Sequence, residues 1–174
     1  MTNHTSSLSS KAQKQIPDTD SKVRILHTMA DYFAIERNIA TDSVRKVAIV
    51  GSGYIGIEMA EALRKRHLDV TIFQRGSEIL STVDADLGRI IHQKLSANAV
   101  NVITGLTVSE INETGSSVEV VGLNDHQKTQ SSTYDLVLIV VGVQPNNELL
   151  VKVGAETGIA GAIEVDQYMQ TSLP

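Results

Sequence analysis

The chain holds 174 residues, 41% of them hydrophobic, with 15 Lys plus Arg against 20 Asp plus Glu for a net charge of −5, and it has no cysteine. That is enough for one domain with a real core, and it excludes a disulfide framework, a thiolate nucleophile and a thiolate metal site. Dispersed basic residues and only 3% aromatics argue against nucleic acid; with no apolar run near the ~20 residues of a membrane span and no apolar leader, the chain is expected to be cytoplasmic.

From Met1 to Ser21 the chain is rich in Ser, Thr, Asn and Gln and almost lacks apolar side chains. Such a segment cannot offset the entropy of ordering and is expected to be a flexible tail, leaving residues 22–174 as one domain. Met29, Phe33 and Ile35 among Ala30, Ala34, Glu36 and Arg37 predict a short helix from Thr28 to Asn38, and Thr41 to Arg45 a polar connector. Lys46 to Val50 is short, continuous and rich in branched side chains, the pattern of a fully buried strand. Gly51-Ser-Gly-Tyr-Ile-Gly56 follows at once, and Ile55, Met59, Ala62 and Leu63 recur at helical spacing up to Arg64-Lys65-Arg66, cations that suit a helix C-terminus. Asp69 to Phe73 is the next strand. Asp84 to Ala97 is a further helix, with Asp84 as N-cap and Leu87, Ile90, Ile91 and Leu95 as its apolar stripe. Val100 to Ile103 is another strand.

The texture then changes to three strand-like runs, Thr107 to Ile111, Ser117 to Val121 and Lys128 to Thr133, with turns at Gly115-Ser116 and Asn124-Asp125-His126. Leu136 to Val141 returns as a buried strand before Gly142-Val-Gln-Pro-Asn146, a short helix from Asn147 to Val153 and a Gly/Ala-rich stretch to Ile163-Glu-Val165. The expected fold class is α/β, a Rossmann-type parallel sheet with an antiparallel β-meander in place of one crossover helix.

A lone G-x-G-x-x-G marks any tight turn, but here it joins a buried strand to a helix and a second strand follows, which is the βαβ context a dinucleotide fingerprint needs. Gly51 permits the sharp turn, Gly53 lets backbone approach a pyrophosphate and Gly56 lets helix pack close to strand; free amides and the helix dipole then hold the phosphates. The competing reading is a glycine turn with no ligand. Twenty or so residues on, such sites usually carry an acidic residue for the ribose 2′-hydroxyl, and this chain has Gln74-Arg75 instead. Arg75 suits a 2′-phosphate, so NADP(H) is favoured over NAD(H), against the alternative of a solvated Arg75.

His4, His27, His67, His92 and His126 show no metal-ligand spacing. Asp84 and Asp86 read as first-turn helix residues rather than a catalytic pair, and no catalytic residue can be assigned.

Val47-Ala-Ile-Val-Gly51-Ser-Gly-Tyr-Ile-Gly-Ile-Glu-Met-Ala-Glu-Ala62, Val70-Thr-Ile-Phe73, Asp84-Ala-Asp-Leu87, Val141-Gly-Val-Gln-Pro-Asn146, Gly161-Ala-Ile-Glu-Val-Asp166 and Thr171-Ser-Leu-Pro174 together resemble the FAD-dependent pyridine nucleotide-disulfide oxidoreductases, most of all the branch of coenzyme A-disulfide reductases and NADH oxidases. The resemblance runs from Ile16 to the last residue. It implies the central NAD(P)H-binding domain of such an enzyme, partnered by FAD-binding and dimerisation domains. In that setting Gly51, Gly53 and Gly56 hold the pyrophosphate, Tyr54 gates the nicotinamide pocket with Ile55 beside it, Glu58 lies near the carboxamide, and Gly142, Val143 and the residues to Pro145 form a loop over the cofactor. Without the resemblance, Tyr54 and Glu58 read as surface residues of a helix start. The family's FAD fingerprint, redox cysteine and later Gly-Asp are not found in the chain. The expectation is therefore one domain of a larger flavoenzyme, holding the hydride donor and inactive by itself, with a stand-alone nucleotide-binding or interaction module as the alternative. A methyltransferase is disfavoured by the third glycine and the Gly-Val-Gln-Pro-Asn loop.

Overall fold

The computed structural model describes residues 21–41 and 43–173; the expected tail, Ser21 apart, lies outside the described residues. The chain divides into two compact units, the first reaching Val141 and the second running from Gly142.

In the first unit, β1 (Val23–Ile25), β2 (Lys46–Val50), β3 (Asp69–Phe73), β4 (Val100–Ile103) and β8 (Leu136–Ile139) form one parallel sheet in the order β1-β8-β2-β3-β4. The helices α1 (Met29–Ala40), α2 (Tyr54–Lys65) and α3 (Ala85–Ala97) all contribute to one core, where Ile35, Ala60, Leu63 and Leu95 meet Val47, Ile49, Val70, Ile72, Leu136 and Leu138. The residues between these on the same strands, Ala48, Val50, Phe73, Val137 and Ile139, face the opposite way and form a second core with Leu106, Val108, Val118, Val120 and Tyr134. The period of two thus sends each strand's side chains into two different cores, which is why β2 and β8 read as continuous apolar runs.

That second core is capped by an antiparallel sheet of β5 (Leu106–Thr114), β6 (Ser117–Asn124) and β7 (Thr129–Tyr134). It stands between β4 and β8 where a crossover helix would be, and Phe73 and Tyr134 meet edge to face across the two sheets, with centroids 5.8 Å apart. The expected α/β architecture with its meander is the one observed.

Four details differ from the sequence reading. Val23–Ile25 is a strand, too short to declare itself until β8 supplies a partner. In α2 the buried residues are Gly56, Ala60 and Leu63, while Ile55 and Ala62 are exposed; small residues let the helix sit close to the sheet, so the buried face is not the face with the largest side chains. In α3, Leu87 and Ile90 are 51% and 61% exposed, because the helix turns Gly88 and Leu95 inward. Asp84 is the N-cap residue as expected, but its side chain caps nothing. Thr28 and Asp31, by contrast, form a reciprocal capping box at the start of α1.

The second unit holds α4 (Glu148–Lys152), with Asn147 at its start, followed by a 3-10 turn at Ile159–Gly161 and a bridge between Thr157 and Ile163. Among the described residues no helix is long and apolar enough to cross a membrane.

Candidate functional site

β2, β3 and β8 end level with one another, Val50 standing opposite both Phe73 and Ile139. Gly51, Gln74 and Val140 therefore leave the sheet side by side at its carboxyl edge, the edge at which open α/β sheets bind ligands.

Gly51 turns the chain with φ +108, its amide donating to the Phe73 carbonyl at 2.9 Å. A Cβ there would lie 2.7 Å from the Val140 carbonyl oxygen, so conformation and space both require glycine. At Gly56 a Cβ would stand 2.2 Å from the Gly51 carbonyl oxygen; the first turn of α2 is pressed against the glycine turn. Gly53 is the opposite case, because a Cβ there would meet nothing within 4 Å. The turn is closed beneath Gly51 and Gly56 and open above Gly53.

The first backbone bond of α2 runs from the Ile57 amide to the Gly53 carbonyl at 3.1 Å. The amides of Tyr54, Ile55 and Gly56 thus precede the helical ladder, and with the helix dipole they make the open side of the turn favourable for an anion. Ser52, between the glycines, is 2% exposed, and its Oγ has no hydrogen-bond partner among the described residues. A buried hydroxyl without a partner is uncommon in a finished fold, and the sequence, in which Ser52 is one more small residue of a turn, gave no hint of it. Tyr54 is 62% exposed at the start of α2, Ile55 is exposed beside it, and Glu58 is exposed one turn further on.

Across the edge, Gln74 continues β3, donating its amide to the Ile103 carbonyl at 2.8 Å and accepting from Leu106 at 3.1 Å. Arg75 is exposed and makes no hydrogen bond or ion pair among the described residues. The loop that carries it returns to the glycine turn, where the Leu80 amide donates to the Ser52 carbonyl at 3.1 Å. The first unit therefore brings Gly51, Gly53, Tyr54, Ile55, Gly56, Gln74 and Arg75 to one edge of the sheet. Gly142 and Val143 open the second unit, Gly142 with φ +89 and Val143 79% exposed. Among the described residues no cluster of three or more His, Asp or Glu could hold a metal ion.

The sequence profile of the pyridine nucleotide-disulphide oxidoreductases matches residues 8–174. The chain belongs to that family. Among its relatives is an NADH oxidase of Methanocaldococcus jannaschii, 33% identical over 174 residues, covering 96% of this chain and 37% of that protein. Two solved structures share the family's fold closely. An NAD-dependent persulfide reductase from A. fulgidus superposes with a TM-score of 0.75 at 29% identity, over 87% of this chain and 28% of that one. An engineered water-forming NADPH oxidase bound to NADPH, made from the Lactobacillus brevis NADH oxidase, superposes with a TM-score of 0.73 at 28% identity, over 91% of this chain and 34% of that one. The chain spans between 24% and 37% of the length of the curated relatives it matches.

Proposed function

We propose that this chain is the NAD(P)H-binding domain of a flavin-dependent oxidoreductase, and that it positions the nicotinamide for hydride transfer to FAD held by a domain beyond these residues. The carrying observation is the glycine turn, closed under Gly51 and Gly56 and open over Gly53. The cofactor, when bound, supplies the hydride. The chain's own residues do the holding: the amides at the start of α2 take the pyrophosphate, and Gly53 leaves room for it. The exposed Tyr54 and Ile55 cover the nicotinamide end and Glu58 meets the carboxamide, with Gly142 and Val143 as further cofactor-binding residues. FAD-binding and dimerisation domains are the partners this reading calls for, and the cytoplasm is the compartment.

The site prefers NADP(H) to NAD(H). Gln74 removes the carboxylate that would repel a 2′-phosphate, and the adjacent Arg75 has a guanidinium with no other engagement among the described residues. The changes in the NADPH-bound engineered oxidase include an Asp replaced by Ala followed directly by an Ala replaced by Arg, the same chemical pairing of an uncharged residue and an arginine.

Titration calorimetry of the purified chain with NADPH and NADH tests both statements. NADPH is expected to bind more tightly, and Arg75→Ala to weaken NADPH about tenfold while leaving NADH within about twofold, the worth of a charge-assisted hydrogen bond discounted for exposure. The preparation is expected to be colourless and to leave NADPH unconsumed in air. Equal binding of the two cofactors, or equal losses from Arg75→Ala, overturns the preference; binding of neither overturns the domain reading.

A further inference from the structure

Gln74 occupies the end of β3, where a dinucleotide site ordinarily directs a carboxylate at the ribose. Its amide is directed elsewhere. Nε2 donates to the Glu78 carbonyl oxygen at 3.2 Å in a half-buried contact, bridging the two ends of the short loop that carries Arg75. Gly76 makes room for this bridge, since a Cβ at that position would lie 3.2 Å from the same Nε2.

The rest of the loop's anchorage is backbone. The Gly105 amide donates to the Gly76 carbonyl at 3.0 Å, and the Leu80 amide donates to the Ser52 carbonyl at 3.1 Å. Ile79 is fully buried in the helix-side core, with its carbonyl oxygen 3.0 Å from where a Cβ of Gly88 would be. Among the described residues, the side-chain bridge from Gln74 is the one hydrogen bond on Ser77 or Glu78. Arg75 lies within the span that the bridge closes.

We infer that Gln74 is a positioning residue and not a cofactor ligand: its amide staples the loop from Arg75 to Glu78, so that the Arg75 guanidinium is presented to the 2′-phosphate on a loop ordered in advance. The inference rests on the reading of Arg75 given above. A loop already ordered has less freedom to lose when the phosphate arrives, and only NADPH carries that phosphate. The staple therefore strengthens NADPH binding and leaves NADH nearly unaffected. A glutamate at this position would undo it, because a carboxylate has no hydrogen to donate to the Glu78 carbonyl.

The test compares the full chain with Gln74→Met, which keeps the length of the side chain without its donor, and with Gly76→Ala, which crowds the same amide without removing it. Calorimetry with NADPH and NADH gives the discrimination ratio, and amide hydrogen exchange at Gly105 reports the loop without any cofactor. Both variants are expected to lower the NADPH preference about two- to tenfold, the worth of one neutral hydrogen bond, with NADH binding unchanged. Gly105 exchange is expected to quicken while that of the Gln74 amide, bonded to Ile103, stays as it was. Adding Gln74→Met to Arg75→Ala is expected to have no further effect on the ratio. Equal loss for both cofactors, or an unchanged ratio in a parent that does prefer NADPH, overturns the role of Gln74 and leaves that of Arg75 standing. A parent without preference overturns Arg75 first and this inference with it.

Discussion

Gly53→Val separates the fold from the ligand more cleanly than any other change in the glycine turn. Gly53 has φ −73 and ψ −176, ordinary extended backbone that any residue adopts. A Cβ there touches nothing within 4 Å. The substitution therefore brings neither backbone strain nor a clash, and its cost to the protein is the poorer N-cap propensity of valine, about 1 kcal/mol. In a chain of this size that moves Tm by about 2–4 °C. For the cofactor the same isopropyl group stands in the open space above Gly53, beside the amides that begin α2. Crowding of that kind costs about 1–3 kcal/mol, and phosphate bonds to the amides are lost with it, so NADPH binding is expected to fall at least about a hundredfold. Urea unfolding and calorimetry on one preparation measure both effects. Binding within about threefold of the parent would show that the turn cradles no phosphate, and a collapse in stability would show that the space above it is not open.

Gly56→Ala should reverse the pattern, because its Cβ would be forced to 2.2 Å from a backbone oxygen; a loss of about 2–4 kcal/mol in urea is expected, and less than about 1 kcal/mol would contradict the close contact. The capping box gives a dependence on acid. Burial pushes the Asp31 carboxyl up, but the amides of His27 and Thr28 and the Thr28 hydroxyl outweigh it and hold it below the ordinary value of 3.8. A folded pKa below the unfolded one means that this contribution is complete above about pH 4 and fades as pH falls through the folded value. The urea midpoint followed from pH 6 to pH 2 should therefore decline less steeply in Asp31→Asn than in the parent, and identical slopes would remove Asp31 from the account.

What the sequence made legible is what local chemistry decides. Lys46–Val50, the glycine turn and Asp69–Phe73 are each specified by neighbours along the chain, and all three stand where the pattern puts them. The meander was legible from its turns, although β5 and β6 each run three residues further than their apolar alternation. Val23–Ile25 was not, because three residues become a strand only through pairing with Val137–Ile139. The buried faces of α2 and α3 are not legible for one reason, that Gly56, Ala60 and Gly88 help define them with no side chain or only a methyl group. At the site, residue types were legible and their engagements were not: nothing in the letters says that Ser52 is buried without a partner or that the Gln74 amide folds back on Glu78.

The sheet order has a consequence for how the molecule assembles. Among the described residues β8, which follows the other strands in chain order, inserts between β1 and β2. During synthesis β2, β3 and β4 can associate with their helices as they emerge, since each pairs with the next in line. β1 has no such neighbour and must wait, its backbone amides hydrated, until Leu136–Ile139 arrives to pair with strands on both sides. The edge of β2 beside the glycine turn stays open for the same interval. A nascent chain halted before β8 would thus expose an apolar strand edge, the kind of surface that chaperones hold and that stray strands capture.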